Sequence, residues 1–303
     1  MKRIRIGSRG SMLALAQSRW VKGQLEARYP QMQIDLTIIK TSGDQFVNRP
    51  IAAVGGKGVF TKEIEEALLK NHIDLAVHSL KDLPTELPRG LTIAAVPVRE
   101  DARDALVSRE LRSLKELPPG ARVASGSLRR QAQLLHHRGD LSITPIRGNV
   151  DTRLRKLDEG HADALIMAAA GLIRIGRAER ITEYLPDEIC LSAVAQGALG
   201  IESRDDGAMR ELLAFLHDGD TSAEVSAERM LLERLGGGCH VPVGARARVS
   251  GDGLKMIAIV VDPSGKSLCR GEIGGKASDA AELGRRLAEQ LIRDGADKIL
   301  ALT

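Results

Sequence analysis

Residues 2–17, KRIRIGSRGSMLALAQ, contain the pattern that decides the fold class. Residues 2–6 alternate polar and apolar side chains, which predicts a half-buried β-strand. The turn formers that follow lead into a helical stretch from Ser11 to about Tyr29, and residues 33–41 (QIDLTIIKT) predict a second strand. A strand, a helix and a strand in this order favour a parallel sheet covered by helices.

The same alternation of strand and helix patterns continues to about residue 202. Further helices are predicted at 61–71 and 128–137, and after the strands at 142–146 and 163–169. The remaining strands are predicted at 75–77, 91–98, 122–125 and 196–202. We interpret these elements as two α/β lobes, with lobe 1 over 1–98 and 197–216 and lobe 2 over 103–191. Crossings near 99–104 and 190–198 would join the lobes, as in a hinged binding protein with a cleft.

The last hundred residues have a different pattern. Thr221-Ser222-Ala223-Glu224 predicts a capping box, with a helix behind it that runs to Gly236. A glycine-rich loop follows, and then three antiparallel strands are predicted at 243–249, 254–261 and 267–273, before a closing helix at 278–295. We therefore expect a small α+β domain over 220–303, and the fold class is α/β lobes plus this C-terminal domain.

The composition restricts the classes of partner. Only 2% of the 303 residues are aromatic, so the platforms on which single-stranded nucleic acid stacks are nearly missing. The basic residues comprise 31 Arg and 13 Lys. A guanidinium grips a carboxylate or phosphate with two parallel hydrogen bonds, so the positions of the arginines decide whether the chain binds anions.

The sequence offers no signal for membranes, export or metals. The first 18 residues hold no uninterrupted apolar stretch, because Arg5 and Arg9 break it, and no apolar run reaches the ~20 residues of a membrane span. The three cysteines are Cys190, Cys239 and Cys269, an odd number at no metal-like spacing. We expect a cytoplasmic protein without a metal or a membrane partner.

Several arginines follow predicted strands or open predicted helices, where active-site groups of α/β sheets collect. Two cations in the first turn of a helix are unfavourable unless an anion lies between them. Frayed, solvated arginines are the alternative for any single position. The arginines so placed are Arg9, Arg129, Arg130, Arg147, Arg153 and Arg174.

Asp82 is the acidic candidate, on a loop directly after the buried strand and next to Lys81. A turn aspartate before Leu83-Pro84 and a functional carboxylate both fit this position. A carboxylate facing arginines would stabilise positive charge that develops on a bound substrate.

Cys239 is the third candidate, since three glycines precede it and allow a loop to present its thiol. The preceding helix C-terminus does not lower a thiol pKa, which argues against a protease-like nucleophile. A thiol that anchors a group, or that reacts with a very electrophilic partner, fits better. Cys190 and Cys269 are expected to be buried packing residues.

Seven segments resemble, in order and spacing, the porphobilinogen deaminase (hydroxymethylbilane synthase) family. The resemblance covers essentially the whole chain. The segments are GSRGSMLALAQ, VGGKGVFTKEIE, DLAVHSLKDLP, SLRRQAQL, RGNVDTRL, AVAQGALGIE and GGGCHVPVG.

The resemblance implies a transferase of tetrapyrrole biosynthesis. Such enzymes condense four porphobilinogen molecules into the linear 1-hydroxymethylbilane and release ammonia. It also implies two periplasmic-binding-protein-like lobes, a third domain, a monomer, and a dipyrromethane cofactor joined by a thioether to the loop cysteine, here Cys239.

Site residues are implied at the matching positions. Asp82 is the catalytic carboxylate that stabilises cationic pyrroles, and the cofactor contacts Lys81, Asp82, Ser127, Arg129 and Arg130. Porphobilinogen carries an acetate and a propionate, which suits basic and polar residues. The residues implied to bind it are Arg9, Ser11, Gln17, Arg147, Arg153 and Arg174.

The chain departs from the family pattern at two positions. Ala53 stands where some members have a lysine, and Gly126 stands where a hydroxyl residue often precedes SLRR. A hinged anion-binding protein without chemistry is the alternative function, and it would need neither Cys239 nor a covalent adduct.

Overall fold

The structure is a computed structural model that describes residues 3–45, 60–110, 112–236 and 241–302. Its contacts divide the chain into unit 1 (Met1–Val98 and Ala198–Asp218) and unit 2 (Arg99–Gly197 and Gly219–Thr303). The three-domain boundaries drawn from the sequence stay a prediction.

Strands and helices alternate through most of the described chain. The strands are β1 (Arg3–Ser8), β2 (Gln33–Ile38), β3 (Leu75–Ser79), β4 (Leu91–Ala95), β5 (Asp104–Ser108), β6 (Arg122–Ala124), β7 (Ser142–Thr144), β8 (Ala164–Ala168), β9 (Glu183–Tyr184), β10 (Leu199–Arg204), β11 (Val243–Ser250), β12 (Gly253–Val261) and β13 (Leu268–Lys276). The helices are α1 (Met12–Arg28), α2 (Ser42–Gln45), α3 (Lys62–Leu69), α4 (Leu128–His137), α5 (Val150–Asp158), α6 (Ala169–Arg174), α7 (Ala208–Leu213), α8 (Gly219–Arg234), α9 (Ala280–Arg293) and α10 (Ala296–Leu300).

Unit 1 is a five-stranded sheet in the order β2-β1-β3-β10-β4. Strand β1 runs parallel to β2 and β3, whereas β10 runs antiparallel to β3 and β4. The strands alternate their side chains between two apolar layers, because neighbouring residues of a strand point to opposite faces. Leu75 and Val77 pack in the larger layer, and Ala76 packs with Ile64 and Leu68 of α3.

Unit 2 contains a sheet of the same design, in the order β7-β6-β8-β5-β9. Here β6 is parallel to β7 and β8, and β5 is antiparallel to β8 and β9. Within each sheet, the parallel strands therefore place their carboxyl ends along one edge of that sheet, where the following loops and helix starts collect.

The C-terminal part of unit 2 is a three-stranded antiparallel sheet, β11-β12-β13, with α8 and α9 packed against it. Gly284 of α9 lies against the backbone of α8, since a Cβ there would stand 2.1 Å from the carbonyl oxygen of Ala227. The α/β fold class and the small C-terminal sheet domain are thus confirmed.

The sequence misses strand β5, and two of its local predictions are wrong. Residues 104–108 form strand β5 although the sequence placed only a crossing near 99–104; all five of its residues are buried, so no polar–apolar alternation marks it. Helix α8 begins at Gly219, and Thr221 lies inside its first turn, where Oγ1 accepts a hydrogen bond from the Arg99 N–H (3.1 Å) instead of capping the helix. Cys190 is buried as expected, whereas Cys269 is only half-buried.

Candidate active site

Unit 1 has an open pocket at the carboxyl ends of β1 and β3, which we call the unit 1 pocket. The starts of α1 and α3 border it, because each of these helices follows a strand or loop that ends at this edge. The residues that line it are Arg9, Ser11, Leu13, Ala14, Gln17, Phe60, Thr61, Ile64, Val77, His78, Ser79 and Asp82.

Arg9 provides the positive charge of the unit 1 pocket. Its guanidinium carbon lies 4.2 Å from the centroid of the Phe60 ring, within the range of a cation–π contact. The side chain is half-buried. An arginine stacked in this way keeps its fork of N–H donors in a restricted orientation, which suits a carboxylate ligand.

Gln17 and Ser11 take part in the wall of the pocket through local hydrogen bonds. The buried Gln17 donates from Nε2 to Oγ of Ser79 (2.8 Å), and so joins α1 to the end of β3. Ser11 is the N-cap of α1, and its Oγ accepts from the N–H of Ala14 at 3.4 Å. Both predicted substrate contacts therefore also have a structural partner.

Asp82 ends the 3₁₀ turn Leu80–Asp82, which directly follows β3. Leu80 is fully buried and donates its N–H to the carbonyl of Ala198 (3.0 Å), while Leu83 donates to the carbonyl of Leu80 (3.2 Å). Asp82 itself is exposed and Lys81 is half-buried. The buried leucine thus anchors a turn that presents the carboxylate to the pocket.

Unit 2 brings Arg129 and Arg130 together on one internal anion, Asp104. Arg129 Nη1 lies 2.7 Å from Asp104 Oδ2, and Arg130 Nη2 lies 2.7 Å from Asp104 Oδ1. Asp104 is fully buried, and both arginine side chains are less than a tenth exposed. We call these three residues, with Cys190 and Gln196, the buried arginine cluster.

The two remaining members complete the coordination of Asp104. Cys190 Sγ donates to Oδ2 at 3.2 Å, and Gln196 Nε2 donates to Oδ1 at 2.9 Å. Burial opposes ionisation of Asp104, yet the charges of Arg129 and Arg130 hold its pKa well below the ordinary value. Burial, together with the Asp104 charge, raises the pKa of the Cys190 thiol to about 12.

The anion that the sequence suggested between Arg129 and Arg130 is, in the structure, a carboxylate of the chain itself. One N–H stays open: within the described residues, the buried Nε of Arg129 has no hydrogen-bond partner. Ser127, predicted as a cofactor contact, precedes α4 as its N-cap residue, and its N–H bonds to Oγ of Ser125 at 3.2 Å.

The three other candidate arginines of unit 2 lie on separate segments: Arg147 after β7, Arg153 in α5 and Arg174 at the end of α6. Arg147 is exposed after β7, and Arg153 donates from Nε to the carbonyl of Gly148 (2.8 Å). Arg174, at the end of α6, donates from Nη2 to the carbonyl of Gly197 at 2.6 Å. Burial lowers the pKa of Arg174 to about 10, which leaves it charged at neutral pH.

Cys239 and Ala53, two residues singled out in the sequence, lie outside the described residues. The departure at Gly126 is described: a Cβ at this position would stand 2.7 Å from the carbonyl oxygen of Ile146. A hydroxyl residue would therefore require a shift of the neighbouring backbone, so glycine fits this local geometry.

Sequence reasoning missed Asp104 and the buried pair of His78 and Glu202. Asp104 opens a fully buried strand, and a charged residue in such a strand is the signal that could have identified it. His78 Nε2 lies 3.0 Å from Glu202 Oε2, but 124 positions separate the two residues and no local pattern joins them.

Comparison with known proteins places this geometry in a family. A model described as "Porphobilinogen deaminase, dipyromethane cofactor binding domain" matches residues 4–211, and "Porphobilinogen deaminase, C-terminal domain" matches residues 222–293. The chain belongs to the porphobilinogen deaminase family. It is accordingly a transferase of tetrapyrrole biosynthesis with a dipyrromethane cofactor, and the alternative of a non-catalytic anion-binding protein is not supported.

Curated relatives match this chain over almost its full length. Porphobilinogen deaminase of Pelobacter propionicus is 51% identical over 300 residues, which cover 99% of this chain and 96% of the relative. The enzyme of Trichlorobacter lovleyi is 52% identical with the same coverage, and that of Geobacter sulfurreducens is 50% identical over 99% of this chain and 95% of its own.

Similar solved structures are more distant. The methionine-binding protein MetQ is 16% identical at a TM-score of 0.44 and covers 75% of this chain and 94% of its own. The aliphatic sulphonate binding protein SsuA of Escherichia coli is 15% identical at a TM-score of 0.40, and the match covers 77% of this chain and 70% of SsuA. Both TM-scores lie below 0.5. In the described ranges, no helix has the length and apolar character of a membrane span.

Proposed function

We propose that this chain condenses four porphobilinogen molecules head-to-tail into 1-hydroxymethylbilane, with Asp82 as the catalytic carboxylate. The observation that carries the proposal is the unit 1 pocket, in which Asp82 and the Phe60-stacked Arg9 line one cavity. Loss of ammonia from porphobilinogen leaves a cationic pyrrole. An ionised Asp82 stabilises this cation and accepts hydrogen bonds from pyrrole N–H groups.

Arg9 binds a carboxylate of the incoming substrate. Porphobilinogen carries two carboxylates, acetate and propionate, and a guanidinium binds one of them with two parallel hydrogen bonds. Ser11 and Gln17 border the same pocket and add hydroxyl and amide groups to its wall. In unit 2, Arg147, Arg153 and Arg174 bind carboxylates of the growing chain.

The residues present in unit 2 also suit the dipyrromethane cofactor. The cofactor is a polyanion, and the open Nε–H of the buried Arg129 is a donor that this chain leaves unpaired among its described residues. Arg129 and Arg130 would hold its carboxylates together with Lys81, Asp82 and Ser127, and Cys239 would hold it covalently through a thioether. When bound, the cofactor supplies the pyrrole carbon that starts chain growth.

Net charge favours this assignment of Arg129 and Arg130. Asp104 neutralises one of the two buried guanidinium charges, so the buried arginine cluster retains one positive charge for a ligand. A cluster with a buried counterion is held in position before the ligand binds, and less conformational entropy is lost on binding.

The mass of the purified protein tests the proposal. We expect an excess equal to two porphobilinogen units less two ammonias, on the peptide that contains Cys239. The Cys239→Ser variant should have its bare sequence mass, and Cys269→Ser should keep the adduct. A wild-type protein that shows the bare mass, and that cannot acquire the adduct from porphobilinogen, contradicts the proposal.

We further propose that the enzyme is a monomer in the cytoplasm, which the family resemblance supports. Analytical ultracentrifugation of the adduct-bearing protein should give a single species near the chain mass of 32.6 kDa. A stable dimer would contradict the first part of this proposal.

A further inference from the structure

A cluster of titratable side chains lies buried beneath the unit 1 pocket. His78 and Glu202 form its centre, with Nε2 and Oε2 at 3.0 Å, and their side chains are 5% and 0% exposed. Glu65 of α3 lies against the same region and is 8% exposed. Chains seldom bury carboxylates and a histidine together unless these groups have a use.

The cluster has unsatisfied hydrogen-bonding capacity. Among the described residues, one carboxylate oxygen of Glu202 and one of Glu65 are buried without a hydrogen-bond partner. Burial, with the neighbouring Glu202 charge, raises the pKa of Glu65 and favours its protonated form. Glu202 therefore stands as the hydrogen-bonded carboxylate partner of His78 in this cluster.

His78 connects this cluster to the pocket. His78 lines the unit 1 pocket together with Asp82. Strand β10 brings Glu202 to the histidine, and the pairing of β10 with β4 is irregular between Ile201 and Glu202. Such irregularities re-aim a side chain, and they are frequent next to active sites.

The bond to Glu202 also fixes the orientation of the imidazole. A carboxylate acceptor at Nε2 favours the ring form with a proton on that nitrogen, and leaves Nδ1 as the nitrogen that takes up or gives away a proton. Among the described residues, Glu202 on β10 and Glu65 on α3 interact with His78, and Asp82 after β3 and Arg9 after β1 line the same pocket as His78.

We propose that His78, oriented by Glu202, is a positioning and proton-holding residue that restores the carboxylate of Asp82 during turnover. This inference rests on the proposed role of Asp82. When a pyrrole carbon of the growing chain has bonded to the next substrate unit, its C–H bond breaks and Asp82 takes the proton. The O–H bond of Asp82 then breaks, the electron pair stays on the carboxylate oxygen, and the proton passes to Nδ1 of His78 directly or across one water. The ammonia that the reaction releases then takes this proton and leaves as ammonium.

Two near-isosteric variants test the proposal. His78→Gln keeps an N–H donor for Glu202 but cannot take up a proton, and Glu202→Gln keeps the shape of the partner but removes its charge. We expect each to lower kcat by about 10- to 100-fold, within the range of proton-transfer catalysis, while KM for porphobilinogen changes less than about 2-fold. His78→Gln should also change the shape of the pH–rate profile, because a glutamine amide does not take up a proton.

A second histidine of unit 1 serves as the matched control. His217 accepts a hydrogen bond at Nδ1 from the N–H of Val96 (3.3 Å) and does not line the unit 1 pocket. In His217→Asn the amide oxygen replaces that acceptor, so kcat and the pH profile should stay as in the wild type. Intact mass shows that each variant carries the adduct before its rates are compared.

The outcomes separate this inference from the proposed function. If His78→Gln and Glu202→Gln keep the wild-type kcat and pH profile while Asp82→Asn is inactive, the proton-holding role is wrong and the function stands. If both variants lower kcat by the same factor at every pH, the His78–Glu202 pair has only a structural role in the sheet, and the proposal is again wrong. A wild type without porphobilinogen turnover overturns the proposed function itself. If His78→Gln does not fold, the pH–rate profile of Glu202→Gln decides alone. A changed shape of that profile supports the proposal, and an unchanged shape overturns it.

Discussion

Asp104 and Arg129 form a buried ion pair, in which Oδ2 lies 2.7 Å from Nη1 and neither side chain is more than 4% exposed. The same carboxylate binds Arg130 through its other oxygen. Two arginines that the sequence assigns to an external anion are thus positioned by an internal one. This relationship makes Asp104 essential for the two residues that we expect to hold the cofactor.

Asp104→Asn should destabilise the protein strongly. Removing one partner of a buried ion pair leaves an uncompensated buried charge and costs about 3–5 kcal/mol of unfolding free energy. Because the pKa of Asp104 is lowered in the folded state, its contribution is present above the unfolded-state pKa and is lost as pH falls toward the folded-state value. Urea unfolding near neutral pH measures the loss, which should shrink in strong acid.

The exposed pair of Asp158 and Arg180 provides the control for this measurement. Their side chains are 57% and 31% exposed, and such pairs contribute about 0–1 kcal/mol. Asp158→Asn should therefore unfold almost as the wild type does. Equal losses in the two variants would mean that burial of Asp104 has no energetic consequence.

Asp82→Asn should keep the covalent adduct and lose most turnover. The amide preserves the shape of the side chain but not the charge that stabilises a cationic pyrrole, so kcat should fall on the order of 100- to 1,000-fold. Single-turnover assays with porphobilinogen, on protein of verified adduct mass, give the measurement. Asp35→Asn, which changes a carboxylate paired with Arg3 at the sheet edge, should leave kcat unchanged.

Glu65→Gln should stabilise the protein, and more so at high pH. Burial raises the folded-state pKa of Glu65, so its contribution to stability is full below the unfolded-state pKa and is lost as pH rises through the folded-state value. The amide avoids this loss, and the gain in Tm should be larger at about pH 8 than at about pH 4. Glu66→Gln, on the exposed face of the same helix, should show no such difference; a gain in Glu65→Gln that is equal at both pH values contradicts the assignment.

Gly126→Ser should destabilise the protein even though a hydroxyl residue often stands there in the family. The new Cβ would lie 2.7 Å from a backbone oxygen, and relieving such an overlap typically costs about 1–3 kcal/mol. Gly219→Ser is the control, because no atom of the described residues outside its own stretch of chain lies within 4 Å of the Cβ position there. Thermal unfolding compares the two, and an unchanged Tm in Gly126→Ser would show that the Ile146 backbone moves freely.

The sequence predicts most of the strands and helices, because their apolar residues recur at helical or alternating spacing. Strand β5 is not predicted, because both of its faces are buried and its five residues show no polar–apolar alternation. The start of α8 is predicted wrongly because Thr221, a residue type that often caps helices, accepts a hydrogen bond from the N–H of Arg99, more than a hundred positions away.

The candidate site also contains residues that the sequence can identify and residues that it cannot. Arg9 and Asp82 can be identified from sequence, as each directly follows a strand and the carboxyl ends of parallel strands meet. The counterion of Arg129 and the partner of His78 cannot, because 25 and 124 positions separate them and only the folded sheets bring them together. Pairings of this kind depend on tertiary contacts rather than on local pattern.

The position of β10 has a consequence for synthesis of the protein. This strand lies between β3 and β4, yet residues 199–204 leave the ribosome about a hundred positions after β4 (Leu91–Ala95). The first 98 residues therefore emerge without the strand that joins β4 to the rest of their sheet. Strands β5 to β9 form a continuous stretch of chain, so the later sheet can close before the earlier one. A nascent chain stopped before residue 199 would expose the edges of β3 and β4, where a chaperone or a second nascent chain can bind.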